Sequence, residues 1–272
     1  EGNLLEETPE HARCLRLEHP LLSDLELARI RAYQAPGFRS VTLEALFKVH
    51  DGGEGLRAAL DELCRHAEQA VDAGATILVI SDRGLSPDQA AIPSLLATGA
   101  VHHHLIRRAK RTRCGLVVET GEAREVAHFA LLIGYGAAAV NPYLAIETIA
   151  ELLEDKTFVP DEISLEQAVS NYQKGIDKGL LKIFAKMGIS TLRSYRGAQI
   201  FEAVGLDRDL IERYFTWTPS RVSGVGLDVI ATEAALRHER AFPGDSYVYP
   251  ELDPGGIYQW RLRGEQHTFN PD

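Results

Sequence analysis

Thr76-Ile77-Leu78-Val79-Ile80-Ser81-Asp82-Arg83-Gly84 is the stretch on which the fold turns. Its apolar residues run consecutively, without the alternation of a half-exposed strand, and that is what a parallel sheet covered on both faces requires. Leu116 to Glu119 and Ala137 to Val140 read the same way, and Val41 to Phe47 reads as a preceding strand. Helical patterns separate them. Gly55 to Val71 places Leu56, Leu60, Leu63, Ala67 and Val71 near a 3.6-residue period. Pro87-Asp88 reads as the start of a helix through Leu96, Val101 to Arg111 as a second helical stretch, and Glu122 to Ile133 as a third. Pro142 opens another at a position where its missing N–H costs little. Strand and helix alternating in this way, with right-handed crossovers, predict an α/β fold: a partial barrel or an open parallel βαβ sheet. Four strands are too few to close an eight-stranded barrel.

Outward from this core, residues 1–40 are polar and helix-leaning, with Pro9, Pro20 and Pro36 as punctuation and Ser23-Asp24 as a cap for a helix from Leu25 to Tyr33. They are expected to form an arm outside the core. Beyond Lys156 the pattern is mainly helical: Leu165 to Lys186, Ala198 to Val204, Arg208 to Tyr214 and Leu227 to His238, before a loop-like tail from Phe242. The expected organisation is a helical arm (1–40), a βαβ core (41–160) and a helical C-terminal segment (161–272).

Composition narrows the function classes. The chain has 272 residues, 45% of them hydrophobic, enough for a sizeable core. A net charge of −10 argues against a general binder of nucleic acid or anionic membranes. The longest apolar run, Phe129 to Tyr135, falls far short of the roughly 20 residues that cross a bilayer. Cys14, Cys64 and Cys114 stand singly, with no C-x-x-C, so neither a disulfide framework nor a zinc or iron–sulfur site is expected, and a reducing cytoplasm fits. The chain opens Glu1-Gly2-Asn3 and has Met187 as its sole methionine, so it is expected to be an interior segment of a longer polypeptide.

Several motifs invite chemistry. Gly134-Tyr135-Gly136-Ala137-Ala138-Ala139 matches a dinucleotide fingerprint by letters, but its glycines end a helix and precede a strand, the reverse of a phosphate-binding turn. A helix stop is the reading they support. Gly224-Val225-Gly226 reads as a turn. Consecutive helical residues point about 100° apart, so His102-His103-His104 cannot converge on one metal ion. Surface or interface histidines are expected, a buried His103 hydrogen-bonded at a domain contact being a middle reading. Arg107 to Arg113 carries five positive charges, either as a solvated helix end or as a docking patch for an acidic partner. No G-x-S-x-G elbow marks a nucleophile. Asp82, Arg83, Glu119 and Asn141 lie at strand ends, where α/β folds place ligands. They read either as a polar rim for a phosphate-bearing cofactor or as loop caps, with Asp and Asn accepting backbone N–H bonds and Arg83 paired to a carboxylate.

Read together, the blocks Ile80 to Arg83, Ala91 to Ala97 with Gly99 to His104, Val118 to Glu125, Gly134 to Ala137 with Asn141 to Ala145, Lys178 to Lys182 running into Lys186 to Thr191, and Ser194 to Ala203 resemble the large subunit of glutamate synthase. The match spans nearly the whole chain. The resemblance implies a central domain within a large cytoplasmic or plastid flavoenzyme, following an amidotransferase domain and leading into an FMN-binding barrel that is itself absent. In that family, glutamine-derived ammonia and 2-oxoglutarate become L-glutamate at FMN. Electrons come through a 3Fe–4S cluster from NAD(P)H or ferredoxin, in some members by way of a small electron-donating subunit.

The departures are as informative. There is no N-terminal cysteine, no flavin-barrel glycine run and no cysteine trio, so no catalytic, cofactor-binding or metal-binding residue is carried over and no cofactor is expected in this segment. The expectation is a connecting, non-catalytic scaffold. Its rivals are a stand-alone β/α enzyme that binds a phosphate or flavin ligand through Asp82, Arg83, Glu119 and Asn141, and a regulatory binding module. Neither the electron donor nor the oligomeric state is readable from this window.

Overall fold

We describe the protein from a computed structural model, which describes residues 5–154, 163–243, 255–257 and 259–271. In chain order, α1 (Asp24–Ala32), β1 (Ser40–Glu44) and β2 (Leu46–Lys48) lead into α2 (Gly52–Asp72). β3 (Ile77–Ser81), β4 (Gln89–Ala91) and α3 (Ser94–Arg107) follow, then β5 (Gly115–Glu119), α4 (Val126–Gly134), β6 (Ala139–Asn141) and α5 (Tyr143–Glu154). α6 (Leu165–Met187), α7 (Leu192–Tyr195), β7 (Ala203–Leu206), α8 (Arg208–Tyr214), β8 (Ser220–Val225) and α9 (Leu227–Ala241) complete the series.

The main sheet is parallel, in the order β1-β3-β5-β6. Each crossover steps to the next neighbour in the same direction, so the order never reverses and no switch-point crevice opens as it would in a doubly wound sheet. The result is an open, barrel-like segment. Side chains alternate between its two faces. Leu78, Ile80 and Leu116 meet α2 and α3 through residues such as Leu56, Leu60, Leu96 and Val101. Val118 and Val140 pack on α4 and α6 through Phe129, Ile133, Ile176 and Leu180.

The opposite face would look into the lumen of a closed barrel. Here Ile77, Val79, Val117 and Ala139 are covered by Leu22, Leu27 and Ile30 of the N-terminal region. That region was expected to lie outside the core, yet Leu21 and Leu22 are 0% and 1% exposed. Hydrogen bonds both shape this region and fasten it. A reciprocal capping box starts α1, with Ser23 Oγ accepting from the Glu26 N–H and the Glu26 carboxylate accepting from the Ser23 N–H. Leu22 N–H also donates to the Val140 carbonyl at 2.8 Å while Val140 N–H donates to Pro20, so the arm closes the outer edge of β6.

Two expected helices are corrected. Pro87-Asp88 does not begin a helix: Gln89–Ala91 is a short strand paired antiparallel with β2, and the helix starts at Ser94. Ala198 to Val204 is not helical, because Gly197 (φ +73°) ends the preceding turn and Ala203–Leu206 pairs in parallel with β8. Gly224-Val225 lies within β8 rather than in a turn. Beyond Phe242 the described residues carry no helix or strand. Contacts divide the chain into Glu1–His238 and Glu239–Asp272. Within the second unit, Glu265 N–H donates to the Gly255 carbonyl at 2.8 Å.

Candidate functional site

Register carries the polar strand ends into one row. Glu44 pairs with Ser81, Ser81 with Glu119 and Glu119 with Asn141, so these side chains share the face that α1 covers. Ser81, Glu119 and Asn141 are all buried. Arg31 reaches down from α1 and clamps Glu119 with two parallel bonds, at 3.0 and 2.6 Å. The Ser81 hydroxyl donates to the same carboxylate, and Arg83 Nε lies 3.3 Å from it. Burial pushes the Glu119 carboxyl up, but the bonds from Arg31 and Ser81 and the charges of both arginines outweigh it and hold the group below its ordinary value.

Asp82, one residue beyond β3, is also buried. It accepts from Thr120 Oγ1 at 2.6 Å, from the Gly121 N–H at 3.0 and 3.1 Å, and from the Tyr143 hydroxyl. Burial raises its pKa, and these bonds only partly offset the rise. Tyr143 is pushed up by burial and by the adjacent Asp82. Arg83 completes the cluster, its guanidinium 4.2 Å from the Tyr143 ring centroid and its nitrogens 3.1 Å from Glu147 and 3.4 Å from Asp24. Asn141 donates to the Leu22 carbonyl (3.0 Å) and to Asp24 (2.8 Å), so it ties down the arm rather than accepting a backbone N–H. Its Oδ1 is buried without a hydrogen-bond partner among the described residues.

Asp82, Arg83, Glu119 and Asn141 therefore come together, as their strand-end positions predict, and they engage one another and the arm. Arg31, Ser81 and Tyr143 belong to the cluster and were missed. Tyr143 follows the Asn141-Pro142 strand end, a signal that was present, whereas Arg31 lies in another element and no local pattern marks it. Nearby, the Glu122 carboxylate accepts from the Ser94 N–H at 2.7 Å, at the start of α3. The backbone donors of Gly121 and Ser94, which could hold a phosphate at the end of a β/α sheet, are thus both occupied by carboxylates of this chain.

The remaining motifs separate. Gly134 ends α4, and Gly136 (φ +115°) sits against His102 so closely that a Cβ would overlap the imidazole. His102 Nδ1 accepts from Arg111 Nε at 2.9 Å, His104 Nε2 lies 2.9 Å from Glu68, and His103 packs edge-on against His102. The three rings diverge. His103 has no hydrogen-bond partner among the described residues, so the middle reading of a hydrogen-bonded His103 finds no support. Arg108 and Lys110 turn inward to Glu68 on α2 at 3.1 and 2.8 Å, and Lys110 and Arg113 reach Asp72, so this basic run is neither fully solvated nor a free patch. Among the described residues, no group of three or more His, Cys, Asp or Glu side chains could hold a metal ion, and no helix is long and apolar enough to cross a membrane.

Comparison with known families decides the kinship. The model of the glutamate synthase central domain matches residues 1–207. The chain belongs to this family. A glutamate synthase [NADPH] large chain of Bacillus subtilis is 44% identical over 271 residues, 100% of this chain and 17% of the relative. The ferredoxin-dependent glutamate synthase 2 of Synechocystis is 43% identical, over 100% of this chain and 18% of the relative. The glutamate synthase [NADH] of Schizosaccharomyces pombe is 39% identical, over 99% and 13%. The chain thus spans less than a fifth of the length of these relatives. Relatives named for three electron donors match the same window. The flavin-binding domain of baker's yeast flavocytochrome b2 is 14% identical with a TM-score of 0.38, over 78% of this chain and 41% of that one, and the likeness carries no argument.

Proposed function

We propose that this chain is the connecting module of a glutamate synthase large chain, which orients an amidotransferase domain before it and an FMN-binding barrel after it and performs no chemistry itself. The observation that carries the reading is the closed carboxyl end of the sheet, where Asp82 and Glu122 take the backbone N–H groups that a cofactor phosphate would need. The organisation that goes with it is an arm (1–40), a core (41–160) and a lead-in to the barrel (161–272).

A second feature supports the lead-in. β7, α8, β8 and α9 form two successive β/α units, yet every residue of β8 is exposed. An isolated two-stranded parallel sheet is marginal, and parallel sheets normally have both faces covered. Further strands of the longer polypeptide would complete it.

In this reading the parent is a cytoplasmic or plastid enzyme that makes L-glutamate from 2-oxoglutarate and glutamine-derived ammonia. FMN and a 3Fe–4S cluster are held by its other domains, and a small electron-donating subunit serves some members. Incubating the chain with FMN, removing free flavin by gel filtration and recording the visible spectrum tests the proposal. No retained flavin is expected; a stoichiometric flavin spectrum would overturn it.

A further inference from the structure

An apolar-walled cavity lies away from the strand ends. It has a volume of about 470 Å³ and is bounded by His102, His103, Ile106 and Arg107 of α3, by Tyr135 after α4, and by the segments around Gln199 and Trp217. This is the size range of small-molecule sites, which combine apolar walls with a few placed polar groups. Three aromatic side chains line it. Tyr135 and Phe201 stack with centroids 5.6 Å apart, and Trp217 stands 86% exposed at the mouth. Trp217 also holds a left-handed backbone (φ +69°), which costs a non-glycine residue on the order of 1 kcal/mol. The Gln199 amide donates to its carbonyl and fixes the loop.

Charge selects among flat ligands. Among the described residues no Asp or Glu lines the cavity, although the chain has 39 acidic residues against 29 basic ones. Arg107 stands in its wall, Arg111 braces His102 from behind, and Arg196 precedes the lining residue Gly197 with its Nε buried and without a hydrogen-bond partner among the described residues. Burial and the neighbouring arginine charges hold His102 down at about 3 and His103 at about 4, so both rings are neutral at pH 7. Because Arg111 donates to His102 Nδ1, the neutral ring carries its proton on Nε2 and that N–H is a donor. His103 has no hydrogen-bond partner among the described residues.

We infer that this cavity is a binding site for a small planar aromatic anion, its ring against Tyr135, Phe201 and Trp217 and its acidic group toward the His102 and Arg107 side. The site is separate from the connecting role proposed above and does not depend on it.

The probes are 2-naphthoate and its neutral analogue 2-naphthamide, titrated into the 272-residue chain while the indole N–H signal of Trp217, assigned with Trp217→Phe, is followed by NMR. Saturable shifts are expected, with the carboxylate binding about tenfold tighter than the amide, the factor that one charge-assisted hydrogen bond supplies. Ile106 is 49% exposed, so Ile106→Glu leaves the fold intact while placing a like charge at the mouth. It is expected to weaken naphthoate at least about tenfold and naphthamide little. Trp217→Gly, which relieves the left-handed backbone and is followed by isothermal titration calorimetry because it lacks the reporting indole, is expected to weaken both probes without lowering the melting temperature. Equal affinity for the two probes, no saturable shift, or naphthoate binding indifferent to Ile106→Glu would each overturn the inference.

Discussion

Glu119 shows how a residue is held against its own chemistry. A buried carboxylate is costly, and here two arginines and a serine hydroxyl offset that cost. Glu119→Ala strands Arg31 and Ser81. Arg31 keeps a third of its side chain in water, however, and can recover part of its hydration. The expected loss is therefore about 2 kcal/mol rather than the larger cost of an isolated buried charge. Urea unfolding at pH 7 reads it as a lower midpoint at unchanged slope. Asn141 marks the opposite limit, with its amide nitrogen paired twice and its oxygen unpaired among the described residues.

Helix contacts make two glycines of one chain answer oppositely to the same change. At Gly99 on α3 a Cβ would stand 2.6 Å from the Tyr214 carbonyl and 2.9 Å from the Phe215 ring, so α3 and the end of α8 approach only because that atom is missing. Gly99→Ala should cost about 1 to 3 kcal/mol by overpacking. At Gly175 on α6 nothing lies within 4 Å, so alanine should raise stability by about 0.5 to 1 kcal/mol through helix propensity alone. Thermal melts of both variants should move in opposite directions. The elements themselves were unevenly legible. β3, β5 and β6 are apolar runs with no other explanation. β4 is three residues long behind a proline that looks like a helix start, and β8 is polar and exposed, so neither had a burial signature to read. The helix read over Ala198 to Val204 has the right residue types but lies between glycines with left-handed backbones, Gly197 and Gly205. The cavity was half legible: the histidines stood out, while Trp217 and Phe201 come from segments that only tertiary packing brings to them.

Acid stability is a property of the whole molecule, and its sign follows from carboxylates that oppose one another. Glu68 is lowered from 4.5 to about 2, by hydrogen bonds from Lys110 and His104 first and the charge of Arg108 besides. A depressed carboxylate contributes stability that is complete above its unfolded value and is lost as pH falls through the folded one. Glu68 thus weakens the fold between pH 4.5 and 2, and Glu119 acts in the same sense. Asp82, raised by burial, runs the other way and favours the fold as it takes up its proton. Urea unfolding at pH 7 and pH 3 should show a smaller acid loss in Glu68→Gln than in the parent chain. An equal loss in both would mean that Glu68 is not coupled to folding.

The cover that the N-terminal arm lays over the sheet also sets an order of events in time. Asn141 grips the Leu22 carbonyl across 119 positions of sequence, and Gln173 reaches the Leu21 carbonyl across 152. The arm leaves the ribosome before β6, while the strand edge it closes is still unmade. Leu21 and Leu22 must wait in water, or in the hold of a chaperone, until β6 has emerged. These native contacts of the arm therefore form only after more than a hundred further residues have been synthesised.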